Sequence, residues 1–173
     1  MSDNLPRRKN TRLQNVDYSE PGAYFVTICT KNRCNMLSNI VGAIHESPEK
    51  SIKMTEFGKS VEKYIKTSQT RFCVEINHFI IMPNHVHLII EITINDERAI
   101  RESPLRSRSV ISQVVGFIKA NSSKDIHKTN PNLDVWQRGF YDHIIHNKND
   151  YEEISKYIHE NPLKWQFDEL YSE

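Results

Sequence analysis

The stretch FCVEINHFIIMPNHVHLIIEITI, residues 72–94, decides the architecture. Its halves, 72–82 and 85–94, are rich in β-branched and aromatic residues, which favour a pleated, partly buried surface. They are parted only by Pro83 and Asn84, a pair suited to the centre of a tight turn. The pattern predicts a central antiparallel hairpin. Side chains alternate along a strand, so His85 and His87 share one face while Val86, Leu88 and Ile90 share the other. Two imidazoles thus converge on a strand that still buries an apolar side.

Working outward, GAYFVTICT at 22–30 predicts a first strand. GAIHE at 42–46 and SIKMT at 51–55 flank a Ser-Pro-Glu-Lys turn and predict a small hairpin. After Thr55, the positions Phe57, Val61, Tyr64 and Ile65 recur at helical spacing and predict a first helix. Residues 97–109 are a basic loop without periodicity. Ile111, Val114, Val115 and Ile118 then predict a second helix, fraying near Asn121 to Lys124. VWQRGFYDHIIH at 135–146 has mixed strand character. DYEEISKYIHEN at 150–161 predicts a third helix, opened by an Asp150–Glu153 capping box and ended by Pro162. Strands early and central, with helices between and after them, imply an α+β, ferredoxin-like fold with a mainly antiparallel sheet and packed helices. Residues 1–20 read as a flexible basic arm ahead of a single folded domain over 21–173.

The chain has 173 residues and a formal net charge of +1, so a nucleic-acid partner would have to be met by local patches rather than a global field. Cys29, Cys34 and Cys73 form an odd set without CxxC spacing, which fits a reducing, cytoplasmic compartment. No apolar stretch follows the N-terminal arginines and none approaches bilayer length, so neither secretion nor a membrane partner is expected.

Neutral imidazole is a common metal ligand, and two on one rigid strand preorganise part of a coordination shell. Taken alone, His85 and His87 read more readily as two half-exposed residues beside a turn than as ligands, and a catalytic ion needs a further protein ligand. On the third helix, Tyr157 and Asn161 stack at i, i+4 and can reach one site together. A tyrosine hydroxyl can attack phosphorus and form a covalent phosphodiester. With an ordinary pKa of ~10, only about one hydroxyl in a thousand is ionised at pH 7, so the attack needs a metal, a base or a cation. The competing reading makes Tyr157 an amphipathic core residue with its hydroxyl at the surface. Tyr151, earlier on the same helix, is a second nucleophile to weigh, and His159 falls on the solvated side.

Three strings, MPNHVHLII at 82–90, VWQRGFYDHII at 135–145 and YIHENPLKW at 157–165, resemble the single-tyrosine HUH transposases of the insertion-sequence type, and the REP-associated tyrosine transposases in particular. Weaker similarity runs from Gly22 to Trp165. The resemblance implies a metal-dependent transposase or endonuclease that cleaves and rejoins single-stranded DNA, presented beside a hairpin, through a 5′-phosphotyrosine. It implies His85 and His87 as metal ligands, Asn161 as the third, and Tyr157 rather than Tyr151 as nucleophile. The implied cofactor is Mg²⁺ or Mn²⁺, with no nucleotide cofactor, although imidazole ligands suit Zn²⁺ or Mn²⁺ better than Mg²⁺. Trp136, Gln137, Arg138 and His143 would either position DNA or pack a strand end. Arg7, Arg8, Lys9 and Arg12 in the arm, with Arg98, Arg101, Arg106 and Arg108 in the basic loop, would neutralise phosphates. Two other functions stay open: a catalytically inactive DNA-binding protein acting on host repeats, and a metal-dependent phosphodiesterase using water. Monomer and homodimer also stay open, and with them whether Tyr157 serves its own subunit or a partner's.

Overall fold

A computed structural model describes residues 21–41, 51–93 and 109–172. The strands are β1 (Gly22–Cys29), β2 (Ser38–Val41), β3 (Ser51–Met54), β4 (Val74–Glu75), β5 (Phe79–Ile81), β6 (His85–Ile92) and β7 (Tyr141–Ile145), and the helices are α1 (Glu56–Phe72), α2 (Val110–His127) and α3 (Lys148–Lys164). The main sheet runs β4-β6-β1-β7, with β5 also on β6, and every pairing is antiparallel. Leaving aside the separate β2–β3 ribbon, the order β1, α1, β4/β5, β6, α2, β7 is the split ferredoxin-like arrangement, with β1 and β6 in the middle.

Alternation in the two central strands divides the sheet chemically. Tyr24, Val26 and Ile28 of β1 and Val86, Leu88 and Ile90 of β6 pack in one core with Val61 and Ile65 of α1 and Ile111, Val114, Val115 and Ile118 of α2. The opposite parity, which includes Phe25 and Thr27 of β1 and His85, His87 and Glu91 of β6, faces α3, whose side chains touch several of these residues. The two inner helices are also tied to each other by Asp125, which accepts hydrogen bonds from Tyr64 at 2.7 Å and Lys128 at 2.6 Å. Those bonds, Lys128's first, hold its carboxyl well below the usual carboxylate range.

Several expected boundaries move, each for a local reason. Phe72 belongs to α1, and the strand that follows is broken rather than continuous. Glu75 pairs with Glu91 but Phe79 pairs with Leu88, so four steps on one strand match three on the other. This is a one-residue bulge. It reverses the parity, so Val74 before it and Phe79 and Ile81 after it all join the core, while His78 turns toward α3. The small ribbon pairs Ser38–Val41 with Ser51–Met54, one strand earlier than expected, and the expected strand at 42–46 lies outside the described residues. The second helix does not fray at Asn121: Ser122 and Asn121 bond back to the carbonyls of Ile118 and Phe117, and buried Ile126 holds a further turn. Helix α3 begins at Lys148, with Asn147 accepting from the Asp150 N–H, and runs through Pro162 into a short 3-10 turn at Trp165–Phe167. Buried Trp165 anchors that extension where the proline alone would have ended the helix.

Helix α1 starts where Thr55 accepts from the Gly58 N–H at 3.2 Å and donates to the carbonyls of Met36 and Leu37. The chain at Leu37 crosses so closely that a Cβ on Gly58 would overlap the Leu37 carbonyl, whereas Gly116 of α2 faces open space. Gly58→Ala is therefore expected to destabilise by about 1–3 kcal/mol, overpacking outweighing the helix-propensity gain. Gly116→Ala should stabilise by about 1 kcal/mol, the propensity difference alone. Chemical denaturation of the pair checks both signs, and a Gly58→Ala variant as stable as the parent would refute the close crossing.

Candidate metal and tyrosine site

The two histidines are not half-exposed. His85 is 0% and His87 3% exposed, with ring centroids 4.4 Å apart. Burial, with Arg33 adding to it, drives His85 down to about 3; burial and then His85 hold His87 well below the ordinary imidazole value, against an opposing pull from Asp168. Both rings are neutral at physiological pH, the form that ligates metals. His87 Nδ1 lies 2.8 Å from Thr27 Oγ1, its cross-strand partner, and His85 Nδ1 lies 2.8 Å from Asn84 Oδ1. His85 Nε2 is buried and has no hydrogen-bond partner among the described residues.

Helix α3 lays Tyr157 across this pair. Its ring centroid is 5.3 Å from that of His87 and meets Phe25 edge-on at 6.2 Å, and the side is open enough that Tyr157 is 42% exposed. The hydroxyl sits 3.3 Å from His87 Nε2 and 3.2 Å from Asp168 Oδ2. Burial, then the Asp168 charge, pushes its pKa up to about 12, away from the nucleophilic form. Asn161, one turn on, donates from Nδ2 to Asp168 at 2.7 Å, and its buried Oδ1 has no hydrogen-bond partner among the described residues. Trp165 closes the far side, its ring 5.7 Å from His85. Tyr151, in contrast, gives its hydroxyl to Glu91 at 2.8 Å, and burial with that bond pushes it up to about 12. His159 is exposed.

The residue that sequence reasoning missed is Asp168. Its carboxylate forms, with His85 and His87, a trio whose ligand atoms all lie within 4.8 Å of one another. Two imidazole nitrogens and a carboxylate oxygen are a donor set that divalent ions accept, and the buried, unpartnered His85 Nε2 and Asn161 Oδ1 beside it fit the same use. Asp168 carries no periodic signal, since it follows the last helical turn. Its local trace is an Asx-type bond, Oδ1 accepting from the Leu170 N–H at 2.7 Å, which by itself marks only a turn.

The remaining expected DNA contacts divide. Trp136 packs against the core and donates from Nε1 to Ser122 at 3.1 Å, and Gln137 uses its backbone on Cys29 and Lys119. Arg138 is exposed in the turn before β7. His143 stands opposite Phe25 on β7 and lies 3.1 Å from Asp150 at the start of α3. Arg7, Arg8, Lys9, Arg12, Arg98, Arg101, Arg106 and Arg108 lie outside the described residues. Among the described residues no helix is long and apolar enough to cross a membrane.

No protein-family model matches the chain. It is 34% identical over 178 residues to an uncharacterised Haemophilus influenzae protein, covering 96% of this chain and 94% of the relative. It is 26% identical over 147 residues to the REP-associated tyrosine transposase of Escherichia coli K12, covering 85% of this chain and 70% of that one. A Haemophilus influenzae protein described as a putative REP-associated tyrosine transposase is 23% identical over 149 residues, covering 86% of this chain and 74% of that one. The solved structure of a REP-associated tyrosine transposase bound to a REP hairpin shares the fold at a TM-score of 0.61 and 20% identity, over 91% of this chain and 76% of that one. With an antiparallel ferredoxin-like sheet, His85 and His87 on its central strand and Tyr157 laid over them, the chain is similar in sequence and in fold to REP-associated tyrosine transposases.

Proposed function

We propose that the protein is a transposase that cuts and rejoins single-stranded DNA through Tyr157. The observation carrying this reading is the Tyr157 hydroxyl held 3.3 Å from His87 Nε2 and 3.2 Å from Asp168, on the open side of a buried His pair. The relatives' description as transposases supports DNA as the substrate, and the hairpin-bound one supports a strand presented beside a hairpin. An unpaired strand can bend to an enclosed tyrosine where stiff duplex cannot.

In the cutting step the Tyr157 oxygen attacks the scissile phosphorus, a Tyr–O–P bond forms and the P–O3′ bond breaks. The departing 3′ oxygen takes up a proton, balancing the one Tyr157 gives up. A later 3′-hydroxyl reverses the exchange, so one phosphodiester is traded for another and no nucleotide cofactor is consumed. At a pKa of about 12 the free hydroxyl is ionised in only about one molecule in a hundred thousand at pH 7. His85, His87 and Asp168 would hold the divalent ion, with Asn161 fixing Asp168 through Nδ2 and offering Oδ1 as a further oxygen ligand. When bound, that ion supplies Lewis-acid polarisation of the phosphate and favours the ionised tyrosine. Phe25 and His87 keep the ring of Tyr157 in place for in-line attack.

Incubated with Mn²⁺ and a single-stranded oligonucleotide from its genomic flank, the protein is expected to yield a denaturation-resistant adduct that Tyr157→Phe abolishes and Tyr151→Phe leaves in place. Cleavage without any adduct would instead establish hydrolysis by water, and binding without cleavage an inactive DNA-binding protein.

Substituting His85, His87 or Asp168 by Ala should each lower adduct formation by at least about tenfold while DNA binding survives, since phosphate contacts by arginine do not need the ion. Full cleavage by Asp168→Ala would remove it from the ligand set and leave Asn161 as the third ligand. Chelation of the wild-type protein should reproduce the His85→Ala defect, read on the same gel.

A further inference from the structure

The groups that would bind metal come from distant parts of the chain, and one side chain touches both sides of the site. Asn84 is fully buried in the turn between β5 and β6. Its backbone carbonyl accepts from the Thr30 N–H at 2.8 Å and from Thr30 Oγ1 at 2.9 Å, so the turn itself is pinned. Its Nδ2 lies 2.8 Å from the Leu170 carbonyl, 3.0 Å from Ser172 Oγ and 3.3 Å from the Arg33 carbonyl. Backbone carbonyls only accept, so the nitrogen must face them and the amide orientation follows from its partners. Oδ1 must then face His85 Nδ1 as an acceptor, and Nδ1 must carry the proton. The lone pair of His85 therefore resides on Nε2, the buried atom without a hydrogen-bond partner.

The same amide reaches the other end of the site. Leu170 is held twice, its N–H by Asp168 Oδ1 at 2.7 Å and its carbonyl by Asn84 Nδ2 at 2.8 Å. The segment carrying Asp168 is further fastened by Arg33 to the Glu169 carbonyl at 3.0 Å and by Asn35 to the Ser172 carbonyl at 2.9 Å. We propose that Asn84 is a positioning residue for the metal site: its carbonyl sets the His85 tautomer that frees Nε2, and its NH₂ secures the strap that delivers Asp168. This rests on the metal reading of His85, His87 and Asp168 given above. A polar partner behind a ligating histidine commonly fixes ring orientation in this way.

The test uses the full chain. Nitrogen-15 NMR of the metal-free protein should show His85 protonated on Nδ1. In Asn84→Ala that tautomer should become mixed, exchange of the Leu170 amide should accelerate, and Mn²⁺ affinity, read by electron paramagnetic resonance of the free ion, should fall roughly 10–100-fold. Asn84→Asp keeps an oxygen for His85 but lacks the NH₂. It should retain the Nδ1–H tautomer while Leu170 still exchanges faster, and it carries the test if the alanine variant does not fold. Unchanged tautomer and unchanged Mn²⁺ affinity in Asn84→Ala would overturn the proposal. A wild-type protein that binds no Mn²⁺, with the tautomer still responding to Asn84, would remove the metal reading and leave the orienting role.

Discussion

The site depends first on the pairing of β1 with β6, in which Cys29 faces His85 and Thr27 faces His87. Strand side chains repeat every two residues, so a slip of one position would send both imidazoles into the α1/α2 core and turn Val86 and Leu88 outward. The apolar residues flanking the histidines thus enforce the register from the opposite face. Neutral imidazoles can be buried there because each has one ring nitrogen within hydrogen-bonding distance of a neighbour, Thr27 or Asn84. A buried polar atom left without a partner costs about 1–3 kcal/mol. Among the described residues His85 Nε2 has no such partner, and a buried lone pair aimed beside Asp168 is suited to ligation.

Helix α3 is placed over this face by contacts outside the site. Tyr151 bonds Glu91, Ser155 lies 3.0 Å from His78, and Asp150 at the helix start accepts from the His146 N–H and lies beside His143. His78 is available to the helix because the bulge between Glu75 and Phe79 reversed the parity of the strand. An irregularity in an outer strand thereby helps locate Tyr157, which lies two residues beyond Ser155 on the same helix, while Tyr151 anchors the preceding turns on Glu91.

Legibility followed the range of the interaction. His85 and His87 were visible because alternation is a local rule, and Tyr157 with Asn161 because i, i+4 stacking is another. The ferredoxin-like order could be read from the succession of strand and helix patterns. The bulge was not legible, since FCVEINHFIIM is compatible with one unbroken strand until its partner is known. Pro162 misled because a proline ends a helix only when nothing beyond it is anchored, and Trp165 is anchored against His85. Asp168 was out of reach because its place beside His85 and His87 is created by tertiary hydrogen bonds to Arg33, Asn35 and Asn84, none of which leaves a pattern near residue 168.

The assembled groups hold the Tyr157 hydroxyl in its protonated form. Beside two neutral imidazoles, the Asp168 carboxylate lies within hydrogen-bonding reach of Tyr157 and adds to burial in raising the tyrosine pKa. A DNA phosphate approaching alone would meet repulsion and a nucleophile in its unreactive form. On the proposed function, a divalent cation held by His85, His87 and Asp168 would add positive charge beside the phosphate and favour the ionised tyrosine. Asp168 would then serve both as acceptor for the protonated hydroxyl and as a ligand of the ion that favours its ionisation.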